Sequence, residues 1–450
     1  MTTTDELATF IQETTYDDLS ADVRDELKKR LVDSIGIAIG ALGADPVDQV
    51  KQTVTATHGS GSCHLIGETT TASPPGAAMY NTTLTRYLDF MDSFLAPGET
   101  PHPSDNIGAA LACADYQDVT GRELLAAIGI AYELQGEFAW NAPVRDKGWD
   151  HVTHTVITAT APAAKLLDLD HEATRNAIGI AGTAHNALRV TRTEGINEWK
   201  GIASANAARN AVYSAMLANN GMEGPVNLFE GQKGWKQIIA GDFSIDPDHT
   251  CSRVFDVMTK RYVAETYAQS AVEGIIELAS EHDIQHDEVA RIHLDTFEGA
   301  KLIIGGGEGD RHSVETKAQA DHSLPYMLAA ALIDRELTNE AYTQEQIQRD
   351  SVQRLLQTVT VEAREDLTEA FENGKMPAVI DIELEDGTSY HIEKEDFQGH
   401  PRNPMDWDTI EEKFTTMASQ AYDESQQDAI ISTVKNLEEY DVDELLSLLQ

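Results

Sequence analysis

Between Arg86 and Asn106 the chain reads RYLDFMDSFLAPGETPHPSDN, which packs acids, hydroxyls and a histidine around a turn inside an Ala-rich helical pattern. Asp89 and Asp92 are three apart, so on a helix both carboxylates leave nearly the same face, with Ser93 one turn after Asp89. Pro97, Gly98, Pro101 and Pro103 must end that helix, and Ser104, Asp105 or Asn106 can cap the next, leaving His102 on the rim of the break. A carboxylate, a hydroxyl and an imidazole at one break suit acid/base chemistry. The same residues also make a capped interhelical loop with a solvated histidine.

Three further stretches carry candidates. RVTRTEGINEWKGIASANAAR holds four basic residues against two acids, Glu194 and Glu198, an inversion in a strongly acidic chain. Arg189, Arg192 and Lys200 could receive an anionic substrate or serve as surface counter-charges, and Lys200, between Trp199 and Gly201, is expected against apolar surface with a lowered pKa. GWDHVTHTV puts His151 and His154 three apart at a helix start; HxxH lacks the spacing and central Glu of a zincin, so a cleft histidine is preferred to a metal ligand and no metal site is expected. In ADHSLPY, Asp321, His322 and Ser323 precede a helix opened by Pro325, where Tyr326 is a candidate proton donor and Ser323 an N-cap. IIGGGEGD lacks the Lys-Ser/Thr of a P-loop and reads as a turn, and no GxSxG elbow occurs.

The elements that must position these groups are helical from about Asp5 to Ala240, with Ala, Leu and Ile recurring at three and four residues and strand signals nearly absent. Gly36, Gly40 and Gly43 read as places where another helix approaches closely. From about Val289, ARIHLDTF, TVTVEARED and AVIDIELEDGTSYHIE read as strands, the last pair joined at Asp386-Gly387, and after HPRNP the chain returns to helix. The expected fold is mainly α with an inserted α+β domain: a large helical domain from residues 1–258 and 401–450, and a smaller α+β lid over 259–400, with a cleft between them.

With 76 acidic and 33 basic residues among 450, the formal charge of -43 disfavours nucleic acid and anionic membranes and points to a salt-rich cytoplasm, where screening relieves self-repulsion. Cys63, Cys113 and Cys251 form no CxxC, and no apolar run is long enough to span a bilayer, so a soluble cytoplasmic protein is expected.

The blocks LDFMDSFLAPGETPHPSDN, NEWKGIASANAARNAV and ETKAQADHSLPYMLAAALID, in this order over nearly the whole chain, resemble the MmgE/PrpD family of 2-methylcitrate dehydratases and cis-aconitate decarboxylases. The resemblance implies a helical domain built from both chain ends, an α+β lid, a homodimer, and catalysis without a cofactor. It carries the family's active-site pattern onto Asp89, Ser93 (where threonine is common), His102, His151, Lys200 and Tyr326. One departure is Tyr267, in KRYVAETYAQSAVEG, where relatives often have histidine. The implied chemistry is dehydration of 2-methylcitrate, a tricarboxylate. His102 and His151 act as acid/base pair, Asp89 tunes one of them, and Lys200 and Arg192 stabilise charge. Ser93 binds a carboxylate, His322 and Tyr267 bind substrate, and Tyr326 closes over it. The alternatives are a cis-aconitate decarboxylase, another lyase or epimerase on a related polycarboxylate, and a catalytically silent dimeric binding protein.

Overall fold

A computed structural model describes residues 2–193, 197–307 and 309–450. Glu194, beside the basic stretch, and Glu308, in the Gly-rich turn, lie outside them. The molecule is mostly helical with a small sheet region. It divides into two compact units, one of residues 1–257 and 406–450, the other of residues 258–405.

In the first unit, helix starts follow their local chemistry. Ser20 caps Ala21–Gly40 by accepting from the Val23 amide at 3.2 Å, and Thr120 and Glu123 close a capping box on Gly121–Asn141. Ala203–Asn219 packs on Pro74–Tyr87 and on Val152–Leu166, and small side chains permit that close approach. The returning helix Trp407–Ala418 lies against Ala21–Gly40 at two glycines. A Cβ on Gly36 would sit 3.1 Å from the Phe414 Cα, and one on Gly40 would sit 2.2 Å from the Met417 Cε. Gly43 differs from the expectation: at φ 78° it makes a left-handed turn with no neighbour to admit. The unit also contains strands that periodicity did not reveal, Gly59–His64 paired antiparallel with Thr71–Ala72, too short to show alternation.

The second unit is built on a four-stranded sheet in the order Val359–Ala363, Val289–Thr296, Ala378–Leu384, Ser389–Lys394. The first pair is parallel and the other two are antiparallel. Ile292, Leu294 and Thr296 are buried on one face, the period-2 pattern read from ARIHLDTF. Asp386-Gly387 does turn the chain, with Gly387 at φ 87° and the Leu384 amide bonded to the Thr388 carbonyl at 2.8 Å. Helix Gln269–Glu281 covers this hairpin and packs on Leu324–Asp334. Residues 401–404 of the HPRNP segment, within the range given above to the helical domain, stay with this unit: the Gly399 amide bonds the Asn403 carbonyl, and the Thr259 amide bonds the Gly399 carbonyl, both at 2.8 Å.

Candidate active site

Helix Pro74–Tyr87 ends because Asp89 adopts φ 55°, the left-handed conformation usual at helix C-termini but usually taken by Gly or Asn. For a residue with a Cβ this costs about 1–3 kcal/mol unless neighbours hold it. Here they do. Arg86 Nη1 donates to Asp89 Oδ1 at 3.0 Å and Lys200 Nζ to Oδ2 at 2.9 Å. Lys200 sits in a 3-10 turn, Glu198–Gly201, begun by the Asn197 side chain on the Trp199 amide. Its ammonium is therefore engaged by a carboxylate rather than by the apolar wall expected above, and Trp199 is exposed.

The chain then folds back on itself. Pro97 and Gly98, the latter at φ 80°, form a turn in which Ala96 and Glu99 exchange backbone hydrogen bonds, and the Phe94 amide reaches the Pro101 carbonyl at 2.9 Å. This places His102 beside its own hairpin partners: Nδ1 is 2.6 Å from the Asp92 carbonyl oxygen and 3.3 Å from Ser93 Oγ. A carbonyl only accepts, so Nδ1 carries the proton and Nε2 the lone pair of the neutral ring. His102 is buried rather than solvated at a rim.

Ser104, Asp105 and Asn106 do not cap the next helix, Ile107–Gln117; they form a 3-10 turn and point inward. Asp92 Oδ1 accepts from the Ser104 amide (3.1 Å) and hydroxyl (2.7 Å), and its Oδ2 from the Tyr132 hydroxyl (2.7 Å), which stitches the two sides of the break together. Asp105 lies under Arg86, whose Nε is 3.8 Å away, and accepts from Ser204 Oγ at 2.6 Å. Burial pushes its carboxyl up to about 6, against the pull of Arg86 and Ser204.

His151 arrives from another direction. The Asp150 amide bonds the Ala187 carbonyl and the Arg189 amide bonds the Gly148 carbonyl, so 148–150 runs beside 187–189 and delivers Arg192 to Asp150 in a two-point ion pair. The His151 ring lies edge-on to His102, centroids 5.3 Å apart and planes at 75°. Arg192 Nη2 is 3.5 Å from His151 Nε2. Burial drives the His151 pKa well below its ordinary value, and the nearby Arg192, Arg86 and Arg145 add to this against Asp150. Burial alone would raise Asp150, yet Arg192 and His151 hold it below the carboxylate range. Arg189 is half-buried, and its pKa is lowered by burial and then by the charge of Arg145, a sign that cations crowd here. Buried Glu99 sets the Arg145 backbone by accepting from the amides of Val144 (2.7 Å) and Arg145 (2.6 Å).

Asp89, Ser93, His102, His151, Arg192 and Lys200 thus all belong to the first unit. His154 leaves the group: its Nε2 meets the Ala142 carbonyl at 2.9 Å and its ring stacks on Phe138. Tyr267, His322 and Tyr326 belong to the second unit. Tyr326 is fully buried there and its hydroxyl donates to the Ala341 carbonyl. His322 Nδ1 is 2.6 Å from Asp321 Oδ1, Ser323 caps Leu324–Asp334 as expected, and Tyr267 stands edge-on to Phe297 and Phe371. The residues not singled out as site groups were Arg86, Asp105, Asp150, Arg145 and Glu99. Arg86 and Asp150 had a local signal, lying three residues before Asp89 and directly before His151. Among the described residues, two groups of side chains could hold a metal ion, His64, Asp115 and Asp443 and then His293, Asp295 and Glu362, and neither includes a site residue. No helix among the described residues is long and apolar enough to cross a membrane.

Models of the MmgE/PrpD N-terminal domain and of the MmgE/PrpD C-terminal domain match residues 5–248 and 262–439. The chain belongs to the MmgE/PrpD family. Among its relatives, the mitochondrial 2-methylcitrate dehydratase of Yarrowia lipolytica is 29% identical over 394 residues, covering 81% of this chain and 74% of that protein. The 2-methylcitrate dehydratase of Cupriavidus necator is 26% identical over 443 residues (93% and 90%), and that of Escherichia coli K12 is 26% identical over 401 residues (83% and 82%). The two family domains join near the boundary between the two units, so the site residues of the first unit all fall in the N-terminal family domain.

Proposed function

We propose that this MmgE/PrpD protein is a hydro-lyase that dehydrates 2-methylcitrate to 2-methylaconitate without a cofactor. The observation that carries the reading is buried His102, its ring edge-on to His151, beside crowded Arg145, Arg189 and Arg192, an arrangement that suits proton abstraction next to bound carboxylates. The names of the relatives supply the substrate. In this reading the arginines and Ser93 bind the carboxylates. His102 Nε2, made basic by the Nδ1 proton held on the Asp92 carbonyl, removes the proton from the carbon next to a carboxylate. The electron pair forms the double bond as the carbon–oxygen bond breaks, and Lys200, protonated and tied to Asp89, gives the leaving hydroxyl the proton with which it departs as water. His151, kept neutral by burial and Arg192, orients the substrate. A homodimer is carried with this reading from the family resemblance, and the charge of -43 supports a salt-rich cytoplasm.

The test is a panel of 2-methylcitrate, citrate and cis-aconitate in concentrated and dilute KCl, following double-bond formation and carbon dioxide. Dehydration of 2-methylcitrate without gas release is expected, fastest at high salt. Carbon dioxide from cis-aconitate would replace the reading with a decarboxylase. No turnover together with no thermal shift by any of the three would sink the enzyme.

A further inference from the structure

The strained residue of the site is held from behind by the far end of the chain. Asp89 keeps φ 55° although it carries a side chain, and the next residue, Phe90, is gripped by Lys413 of the returning helix Trp407–Ala418. Lys413 Nζ donates to the Phe90 carbonyl at 3.1 Å and lies 3.8 Å from the centroid of the Phe90 ring. The same ammonium is 2.7 Å from Asp33 Oδ1 on the helix Ala21–Gly40. Both side chains are almost wholly buried, at 7% and 2% exposure.

A buried ion pair is rarely a gain in stability over a well-packed apolar pair, because both charges must be stripped of water. Burial accordingly pushes the Asp33 carboxyl up, against Lys413. What an apolar pair could not do is donate to the Phe90 carbonyl. Three segments distant in sequence meet at this ammonium, one residue from the carboxylate that Lys200 uses, and the glycines at 36 and 40 bring the two helices close enough for the contact.

We propose that Lys413, fixed by Asp33, is a positioning residue: by holding the Phe90 carbonyl it keeps Asp89 in its left-handed conformation and so keeps the Asp89 carboxylate on Lys200. The kinetic part of this inference rests on the hydro-lyase reading; the geometric part does not.

Removing Lys413 alone strands a buried carboxylate, so the decisive variant is Asp33→Asn with Lys413→Met, compared with Lys413→Arg. The double variant should fold and melt within about 5 °C of the parent. Its kcat on 2-methylcitrate should fall about ten- to a hundredfold with KM changed less than about threefold, the pattern of a misplaced group rather than lost binding. Lys413→Arg, which keeps the charge and donors, should recover most of the rate. A folded double variant with kcat within about twofold of the parent overturns the proposal. A crystal structure of the double variant serves whether or not the substrate is right: the Asp89 carboxylate should have left Lys200, and its retention at 2.9 Å overturns the proposal. A parent inactive on every tricarboxylate, with Asp89 displaced in the variant, overturns the function alone and leaves the positioning role standing.

Discussion

The candidate site groups of the two units find their partners in different ways. In the second unit the polar side chains singled out from sequence are satisfied by near neighbours: the Tyr326 hydroxyl by Ala341, His322 by Asp321, Ser323 by the helix it caps. In the first, charged groups, some buried and some only partly so, are tied to partners far away in sequence, Lys200 to Asp89, Arg192 to Asp150 and Asp105 to Ser204. Arg86 keeps a buried Nη2 with no hydrogen bond among the described residues. Groups satisfied locally stabilise a fold. Groups crowded with like charges and held in strained backbone store the potential that a bound anion can use.

The contrast breaks most visibly through the histidine. His102→Ala should leave the protein folded and lower turnover by about two to four powers of ten, read by steady-state kinetics; near-normal turnover removes His102 from the chemistry. The next effect is on stability. Asp105 has a folded pKa of about 6 against 3.8 for the free side chain, so its carboxyl form is favoured in the folded protein. Relative to Asp105→Asn, the parent is at its best below the unfolded value and loses ground as pH rises through the folded one. Denaturant unfolding at pH 4 and pH 7 should show the gap shifting toward the variant by about 2 kcal/mol. A gap independent of pH would mean that folding leaves the Asp105 pKa unchanged.

A smaller effect is expected at Arg189. Replaced by Gln, this half-buried cation should raise KM about tenfold with kcat nearly unchanged, since it binds carboxylate equally in ground and transition states. A fall in kcat instead would move Arg189 into the transition state. The smallest is in the second unit: Tyr326→Phe should cost about 1–2 kcal/mol of stability by orphaning the Ala341 carbonyl and change turnover less than about threefold. A hundredfold loss of turnover there would erase the contrast between the units and restore Tyr326 to the role that the family resemblance implies.

Much of this was legible locally. Pro97-Gly98 and Asp386-Gly387 had to turn, because few residues accept those backbone angles, and both do. The acids, hydroxyl and histidine of 86–106 were visible as an inventory, and so was the basic patch that supplies Arg189, Arg192 and Lys200. Their uses were not. Asp92, read only as sharing a helix face with Asp89, is a brace between Ser104 and Tyr132, and Asp105, read as a cap, lies under a guanidinium. His151 and His154 share one motif yet diverge to a site and to an aromatic core, since His151 precedes the helix Val152–Leu166 as its N-cap residue while His154 lies inside the helix's first turn.

What the sequence by itself determined was where helices stop, where hairpins turn and which reactive groups are available, because those follow from φ preferences and side-chain chemistry within a few residues. Only the tertiary structure decided which charges meet. Asp89 and Lys200 are 111 residues apart, Lys413 and Phe90 are 323 apart, and Coulomb energy and desolvation depend on distance through space and on burial, which no local pattern encodes.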